Sequence, residues 1–481
     1  MIFNSITYFI FLFTVVVLYW SLPLKPRLYL IFITSLTFYG FWKIEFIPVM
    51  LISVIADYLI AIKIPKSVQY IKKRLLILSL TINLGLLFYF KYLIFFSENL
   101  FSFANLLGID IDPLILNIIL PLGISFYTFQ TISYTVDVYR ENISPEKNFI
   151  LYACYVTFFP QLVAGPILRA SEVIHQFFKR PLFKWEHIVI GIRRIIYGIF
   201  LKVVLADNIA SYVDTGFSMS IEAMSAIDVW TLGFLFGFQI YFDFSAYSHI
   251  AIGSARLMGI HFPENFNFPY LASSPRDFWK RWHISLSSWI RDYLYLPLAG
   301  VKIDNTSTGG LANVTTQKDN KPLFAAWTIM GLWHGANWTF VLWGVYHALI
   351  IFIYRKTRHF TKGFNENVKL FGGLFLTLPV MMISWIPFRA ESISDALSMW
   401  LKVITPKAYW GLGMKENAYL VAACIMVSIV IVWVIKNKLM PLLNRGNRII
   451  LISGEALVFT VLLTLGFLFL RPSNQFIYFQ F

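Results

Sequence analysis

The sequence predicts an all-α, polytopic membrane protein with about eleven transmembrane helices, plus re-entrant or interfacial helices. Three observations predict it. Of the 481 residues, 58% are hydrophobic, and the mean hydropathy is +0.67. Only 14% are charged, against about 25% in a soluble domain. The apolar residues also fall in long unbroken runs, not in the short alternating segments of a membrane barrel. In lipid every backbone N–H and C=O needs a partner within the protein, and unbroken runs meet that need as helices.

The candidate spans are 6–22, 28–44, 46–62, 75–96, 114–137, 187–206, 226–247, 323–354, 370–388, 418–435 and 449–470. The first run, MIFNSITYFIFLFTVVVLYW, has no basic leader and no small-residue cleavage site, so it reads as a retained span and not a signal peptide. Segments 149–164 and 284–300 are apolar but short or charged, and read as re-entrant or interfacial. Backbone of that kind is tolerated only where protein or a cavity surrounds it. The stretch 323–354 is too long for one plain helix and carries His334 and Gly335 midway, so it reads as a broken helix or a tight hairpin. Residues 302–322 form the longest polar stretch and read as a mobile loop. No repeat or soluble domain stands out. The chain reads as one membrane domain, 1–481, whose residues 471–481 form an aromatic tail.

The net charge of +15 sits in short basic clusters between apolar runs, as the positive-inside rule expects, and does not call for nucleic acid. Lys63, Lys66, Lys72, Lys73 and Arg74 mark one loop as cytoplasmic. Arg355, Lys356, Arg358, Lys362 and Lys369 mark another, and Lys436, Lys438, Arg445 and Arg448 a third. Between Val203 and Ala255 there is no Lys or Arg, but Asp207, Asp214, Glu222 and Asp228 occur, so that loop reads as extracytoplasmic. The N-terminus and the tail then both lie outside. Cys154 and Cys424 each lie within apolar runs and suggest neither a disulfide framework nor a metal site.

Three constellations could carry chemistry. In PRDFWKRWHISLSSWIRDYLYLPLAG, helical spacing would put Trp279, Trp282 and His283 on one face. Arg276, Lys280 and Arg281 fit either a basic interfacial helix or an anion clamp for a phosphorylated cofactor such as coenzyme A. Composition does not separate the two. In GLWHGANWTFVLWGVYHAL, His334 lies between long apolar flanks. An ionisable side chain at membrane depth is costly and points to function, although a histidine satisfied by a backbone carbonyl also fits. A neutral imidazole there could act as general base toward a hydroxyl, with Asn337 orienting it or binding a developing oxyanion. His347 reads as structural. In QIYFDFSAYSHIAIGSARLMGI, Asp243, Ser245, Ser248 and His249 read as a polar packing seam, with Gly253, Ala255 and Gly259 allowing close helix approach. No Walker loop, HExxH, CxxC pair or GxSxG elbow appears, so a soluble-type hydrolase or ATPase is unsupported. A transporter without covalent chemistry fits the half-helices.

The runs YFDFSAYSHIAIGSARLMGI, NFNFPYLASSPRDFWKRWHISLSSWIRDYLYLPL and GLWHGANWTFVLWGVYHAL, in this order, resemble the membrane-bound O-acyltransferase family. They are most similar to the bacterial branch of alginate and peptidoglycan O-acetyltransferase membrane subunits, with the D-alanine exporter of teichoic-acid modification a near cousin. The resemblance implies a helical ring around a central tunnel, with a thioester donor on one side and an acceptor hydroxyl on the other. It implies that His334 is the family's invariant histidine and His283 its second motif histidine. The family pattern usually reads DFSGYSDMAIG; here Ala246 replaces the glycine and His249 the aspartate, so no charge role carries over to 249. The resemblance further implies acetyl-CoA as donor, no metal, a periplasmic esterase-like transferase as partner, a polysaccharide acceptor such as alginate or peptidoglycan, and the bacterial inner membrane as location. The cousin system uses a separate peptide with an aromatic motif much like FIYFQF, which suggests Tyr478 as an acyl carrier here. The alternatives are D-alanyl transfer from a carrier protein to teichoic acid, and a tail that only anchors at the interface.

Overall fold

The computed structural model describes residues 3–109, 116–163, 165–179, 182–301, 320–361, 363, 365–435, 448–469 and 476. Among these the chain is helical and has no strand. The expected mobile loop lies almost wholly outside the described residues, as does Tyr478.

Among the described residues five helices are long and apolar enough to cross a membrane: Ile44–Lys66, Gln69–Leu106, Trp338–Phe360, Val368–Arg389 and Glu416–Val434. Ile6–Ser21 and Ile452–Leu468 are apolar but shorter. The count differs from the expected eleven because several apolar runs are broken or charged. The expected span 114–137 begins as a helix only at Ile124, after Pro121 and Gly123. The span 187–206 passes from α-helix into a π-helical stretch at Phe200–Ala206, an irregularity that often marks functional sites. The run 226–247 extends into one helix, Ala226–Leu257, that carries Asp228, Asp243 and Arg256. The run 323–354 is a hairpin, Lys321–His334 followed by Trp338–Thr357.

The chain packs as two compact units with interleaved ranges. The first holds Met1–Ile192, Ala251–Pro263 and Ser288–Asp319. Its opening helix starts where Ser5 Oγ accepts from Tyr8 N at 3.2 Å, satisfying one of the free N–H groups of a helix start. The same helix is tied to the 251–263 segment by Tyr8 Oη to Ser254 Oγ at 2.8 Å and by Trp20 Nε1 donating to Leu257 O at 2.9 Å. Helices Ile47–Lys63, Gln69–Leu87 and Ile124–Tyr139 pack on one another.

The second unit holds Arg193–Ile250, Glu264–Ser287 and Asn320–Phe481. Its Glu416–Val434 helix leaves Leu420, Val427, Val430 and Ile431 more than half exposed. Such a continuous apolar face suits lipid, not water. The polar residues of the Ala226–Leu257 helix turn inward instead: Asp243, Ser245 and Ser248 are all buried. The expected polar seam is present.

Candidate active site

His334 closes the first arm of the hairpin. The two arms touch through backbone: a Cβ on Gly344 would stand 2.3 Å from Trp327 O and 3.3 Å from Gly331 Cα. Only glycine allows that approach. Gly335 then turns extended (φ −158°, ψ 148°) and ends the helix. Asn337 Oδ1 accepts from Thr339 N at 3.0 Å and caps the second arm; its side chain is exposed. That contact occupies the amide oxygen that could otherwise have faced His334. The His334 ring is 5% exposed and meets the edges or faces of Trp333, Trp343 and Phe388 at centroid distances of 4.9, 5.0 and 5.2 Å.

His283 is placed differently from its sequence expectation. The helix Pro275–Arg281 stops before it, Trp282 is extended, and His283 takes φ +40°. Trp279, Trp282 and His283 therefore do not share one helical face. The break is held by Asn267 N donating to Arg281 O and Ile284 N donating to Asn265 O, both at 2.9 Å. A left-handed histidine costs roughly 1–3 kcal/mol and persists where its surroundings over-determine it. Those surroundings also fix the ring. Asn265 Oδ1 is an acceptor, since the Ser285 N–H and Ser285 Oγ both donate to it, at 3.3 and 2.8 Å. Asn265 Nδ2 donates to Ser248 Oγ at 3.2 Å. His283 Nδ1, 3.2 Å from Asn265 Oδ1, must then carry the ring proton. The lone pair is left on Nε2, which is buried without a partner. Burial pushes the imidazole pKa down to about 3, so the ring is neutral and its Nε2 can accept a hydrogen bond.

The residues expected as a coenzyme clamp separate into two groups. Trp279 and Trp282 are buried in an aromatic wall. Trp279 packs on Trp327 at 4.6 Å and on His347 at 5.0 Å, and Trp282 stacks on Phe278 at 5.6 Å. Trp282 also meets Trp385 at 4.9 Å, Trp385 meets Phe388 at 5.5 Å, and Phe388 reaches His334. One run of rings thus links the neighbourhoods of the two histidines. Of the cations, Arg281 Nε pairs with Asp277 Oδ1 at 2.9 Å, Lys280 is exposed, and Arg276 Nη2 is buried without a hydrogen-bond partner. His347 is 1% exposed, boxed by Trp279, Trp327 and Trp343.

Beyond Phe244, which packs on His283, lies Phe476. Phe476 is fully buried. It stacks on Tyr247 at 4.0 Å and 23° and lies 5.7 Å from Phe244. Phe244 in turn meets His283 edge-on at 4.6 Å. One turn from Tyr247, Asp243 Oδ1 pairs with Lys202 Nζ at 2.8 Å, and Lys202 also reaches Asp207 Oδ1 at 2.8 Å. Lys202 is 2% exposed and lies in the π-helical stretch. Removing one member of such a buried group leaves an unpaired charge, which costs about 3–5 kcal/mol, so the cluster fixes this helix pair in one register.

Sequence reasoning missed Asn265 and Lys202. Lys202 had a weak signal, as a lone ammonium among aliphatic neighbours, and Asn265 sat in a short polar stretch with Glu264 and Asn267 that reads as an ordinary loop. Replacing Asn265 by alanine frees the His283 ring to adopt the other tautomer; activity should fall roughly tenfold to a hundredfold, as when other ring-orienting partners are lost. Asn265→Asp keeps an acceptor at the Oδ1 position and should recover most of the loss. Equal activity in wild type and Asn265→Ala would remove Asn265 from the site.

Two buried imidazoles in aromatic walls within a helical membrane protein define a site for group transfer away from bulk water. The chain belongs to the MBOAT, membrane-bound O-acyltransferase family, whose profile matches residues 28–388, and it is an acyltransferase. It is 35% identical over 404 residues to the peptidoglycan O-acetyltransferase of Helicobacter pylori, covering 78% of this chain and 73% of that protein. It is 35% identical over 403 residues to the probable alginate O-acetylase AlgI of Azotobacter vinelandii, covering 83% and 77%. The teichoic acid D-alanyltransferase of Bacillus subtilis is more distant, 30% identical over 262 residues, covering 53% and 62%.

Proposed function

We propose that this protein moves acetyl groups from cytoplasmic acetyl-CoA to the outer side of the bacterial inner membrane for O-acetylation of a polysaccharide. The observation that carries this reading is the burial of Phe476 against Tyr247 and Phe244, the second of which packs edge-on against His283. Phe476 stands two residues before Tyr478 in the sequence and, through Phe244, one ring away from His283. Burying one phenylalanine stabilises by about 1.5–3 kcal/mol, against about 1–2 kcal/mol to order each residue. The tail is therefore held reversibly, as a carrier requires.

In this reading the Tyr478 phenol oxygen attacks the thioester carbonyl carbon and the C–S bond breaks. His334 takes the phenol proton and returns it to the departing thiolate, so coenzyme A leaves as the thiol and no net proton is consumed. His283, with its Nε2 lone pair, holds the hydroxyl or the acyl group in line. Arg276 and Lys280 are the cations left to meet the coenzyme phosphates, and Trp279 and Trp282 wall the acyl end. The acetyl ester then passes to a polymer hydroxyl, directly or through a periplasmic esterase-like transferase. The relatives that act on peptidoglycan and alginate cover most of the chain, whereas the D-alanyl relative covers about half, which favours acetyl over D-alanyl. About eleven crossings around a tunnel, with both termini outside, would give the donor and the acceptor separate entrances.

The test uses the full protein in proteoliposomes supplied with acetyl-CoA, followed by mass analysis of the C-terminal peptide. One added acetyl as a base-labile ester on Tyr478 is expected. A D-alanyl ester formed only with a charged carrier protein would replace the donor assignment. No adduct, together with continued polysaccharide acetylation, would reject the carrier.

A further inference from the structure

The first unit contains a carboxylate that the acyl-transfer reading does not use. Asp57 is fully buried in the helix Ile47–Lys63, a candidate span. Its Oδ1 accepts from Ser79 Oγ at 2.5 Å and its Oδ2 from Asn83 Nδ2 at 2.7 Å. Donors on both oxygens suit an ionised carboxylate. Among the described residues no Lys, Arg or His forms an ion pair with it. An uncompensated charge at membrane depth is costly, and such residues mark ion or substrate sites.

The oxygens around Asp57 come in helical pairs. Ser53 and Asp57 are four apart on one helix, Ser79 and Asn83 four apart on the second, and Thr131 and Thr135 four apart on the third, Ile124–Tyr139. That spacing points each pair into the same seam. Asn83 Oδ1 lies 2.5 Å from Ser53 Oγ and 3.0 Å from Thr131 Oγ1, and the two hydroxyls are 3.4 Å apart. All six side chains are fully buried. Thr135 Oγ1 also reaches the carboxylate, and the buried Tyr152 hydroxyl nearby has no hydrogen-bond partner. Buried polar atoms left in that state call for a missing ligand.

We propose that Asp57, Ser53, Ser79, Asn83, Thr131 and Thr135 form a binding site for one sodium ion. A single carboxylate matches a single positive charge. The neutral oxygens supply the many hard ligands that such cations take at about 2.3–2.6 Å, the range known for calcium of similar size. Asn83 turns its amide by half a turn to present oxygen to the ion, an orientation free to follow the ligand. Sodium joins three helices of the first unit and stabilises it by mass action.

The test is thermal unfolding of the purified full-length protein in detergent at alkaline pH, in sodium chloride against choline chloride at equal ionic strength. The unfolding midpoint should rise by a few degrees with sodium and not with potassium. Asp57→Asn should abolish that increment, and Thr131→Val should raise the sodium needed for half the effect by about three- to tenfold. Radiosodium dialysis provides a direct count, one ion per wild-type chain and none for Asp57→Asn. Equal midpoints in sodium and choline, an increment retained in Asp57→Asn, or stabilisation of wild type by acid alone would each overturn the proposal, the last by assigning the carboxylate to a proton.

Discussion

His334→Ala yields a folded, membrane-inserted protein with acetyl transfer reduced by about 10²–10⁴-fold, the usual worth of a positioned base. Folding survives because His334 ends its helix at a turn. The arms of the hairpin are joined by the Gly331–Gly344 contact and by the Asn337 cap, neither of which uses the imidazole. What the substitution removes is the ring packed among Trp333, Trp343 and Phe388. Those aromatic walls exclude water, so no solvent molecule is well placed to substitute as base. The measurement is transfer of labelled acetyl in proteoliposomes, with size-exclusion elution and unfolding midpoint as controls for the fold. His334→Gln, which keeps volume and a hydrogen-bonding end but cannot take a proton at neutral pH, should be as inactive as alanine. If either variant transfers acetyl at the wild-type rate, the base is another group. His283, with its lone pair fixed on Nε2, is then the first to examine.

The hairpin and the polar seam were legible because they violate local rules. A run of apolar residues too long for one helix, interrupted by His-Gly, has few solutions in lipid, and the hairpin is one. Asp243, Ser245 and Ser248 announce an inward face because lipid will not accept them. The His283 geometry was not legible. Periodicity assumes an unbroken helix, and here the chain leaves the helix at Trp282 because the backbone of Asn267 and Asn265, fourteen and nineteen residues away in sequence from their partners Arg281 and Ile284, supplies the bonds that make the break tolerable. Long-range backbone pairing of that kind leaves no local signature. The expected eleven spans exceed the five long apolar helices among the described residues for a related reason. Charged or kinked runs such as 187–206 look continuous on a hydropathy scale, but Lys202 is satisfied only by Asp207 and Asp243, which the fold brings to it. The Asp57 site was overlooked because serine, threonine and asparagine at four-residue spacing also describe ordinary helix packing.

Tyr478→Phe removes one oxygen atom and leaves nearly the whole apolar side chain, so the tail keeps its means of docking through Phe476 on Tyr247. A tail that served only as an aromatic anchor would tolerate the change, since phenylalanine buries as well as tyrosine in an apolar setting. A carrier cannot, because the lost oxygen is the nucleophile. The acetyl adduct on the C-terminal peptide should vanish, and polysaccharide acetylation should drop to the level of a strain lacking the protein. Phe476→Ala separates docking from chemistry. It keeps the phenol but loses about 1.5–3 kcal/mol of burial, which lowers tail occupancy and slows transfer without abolishing it, and Phe476→Tyr or Phe476→Leu should restore most of the rate. Full acetylation by Tyr478→Phe would mean that acetyl passes from the thioester straight to an external hydroxyl. The buried Phe476 would then be a plug, and its removal should speed transfer rather than slow it.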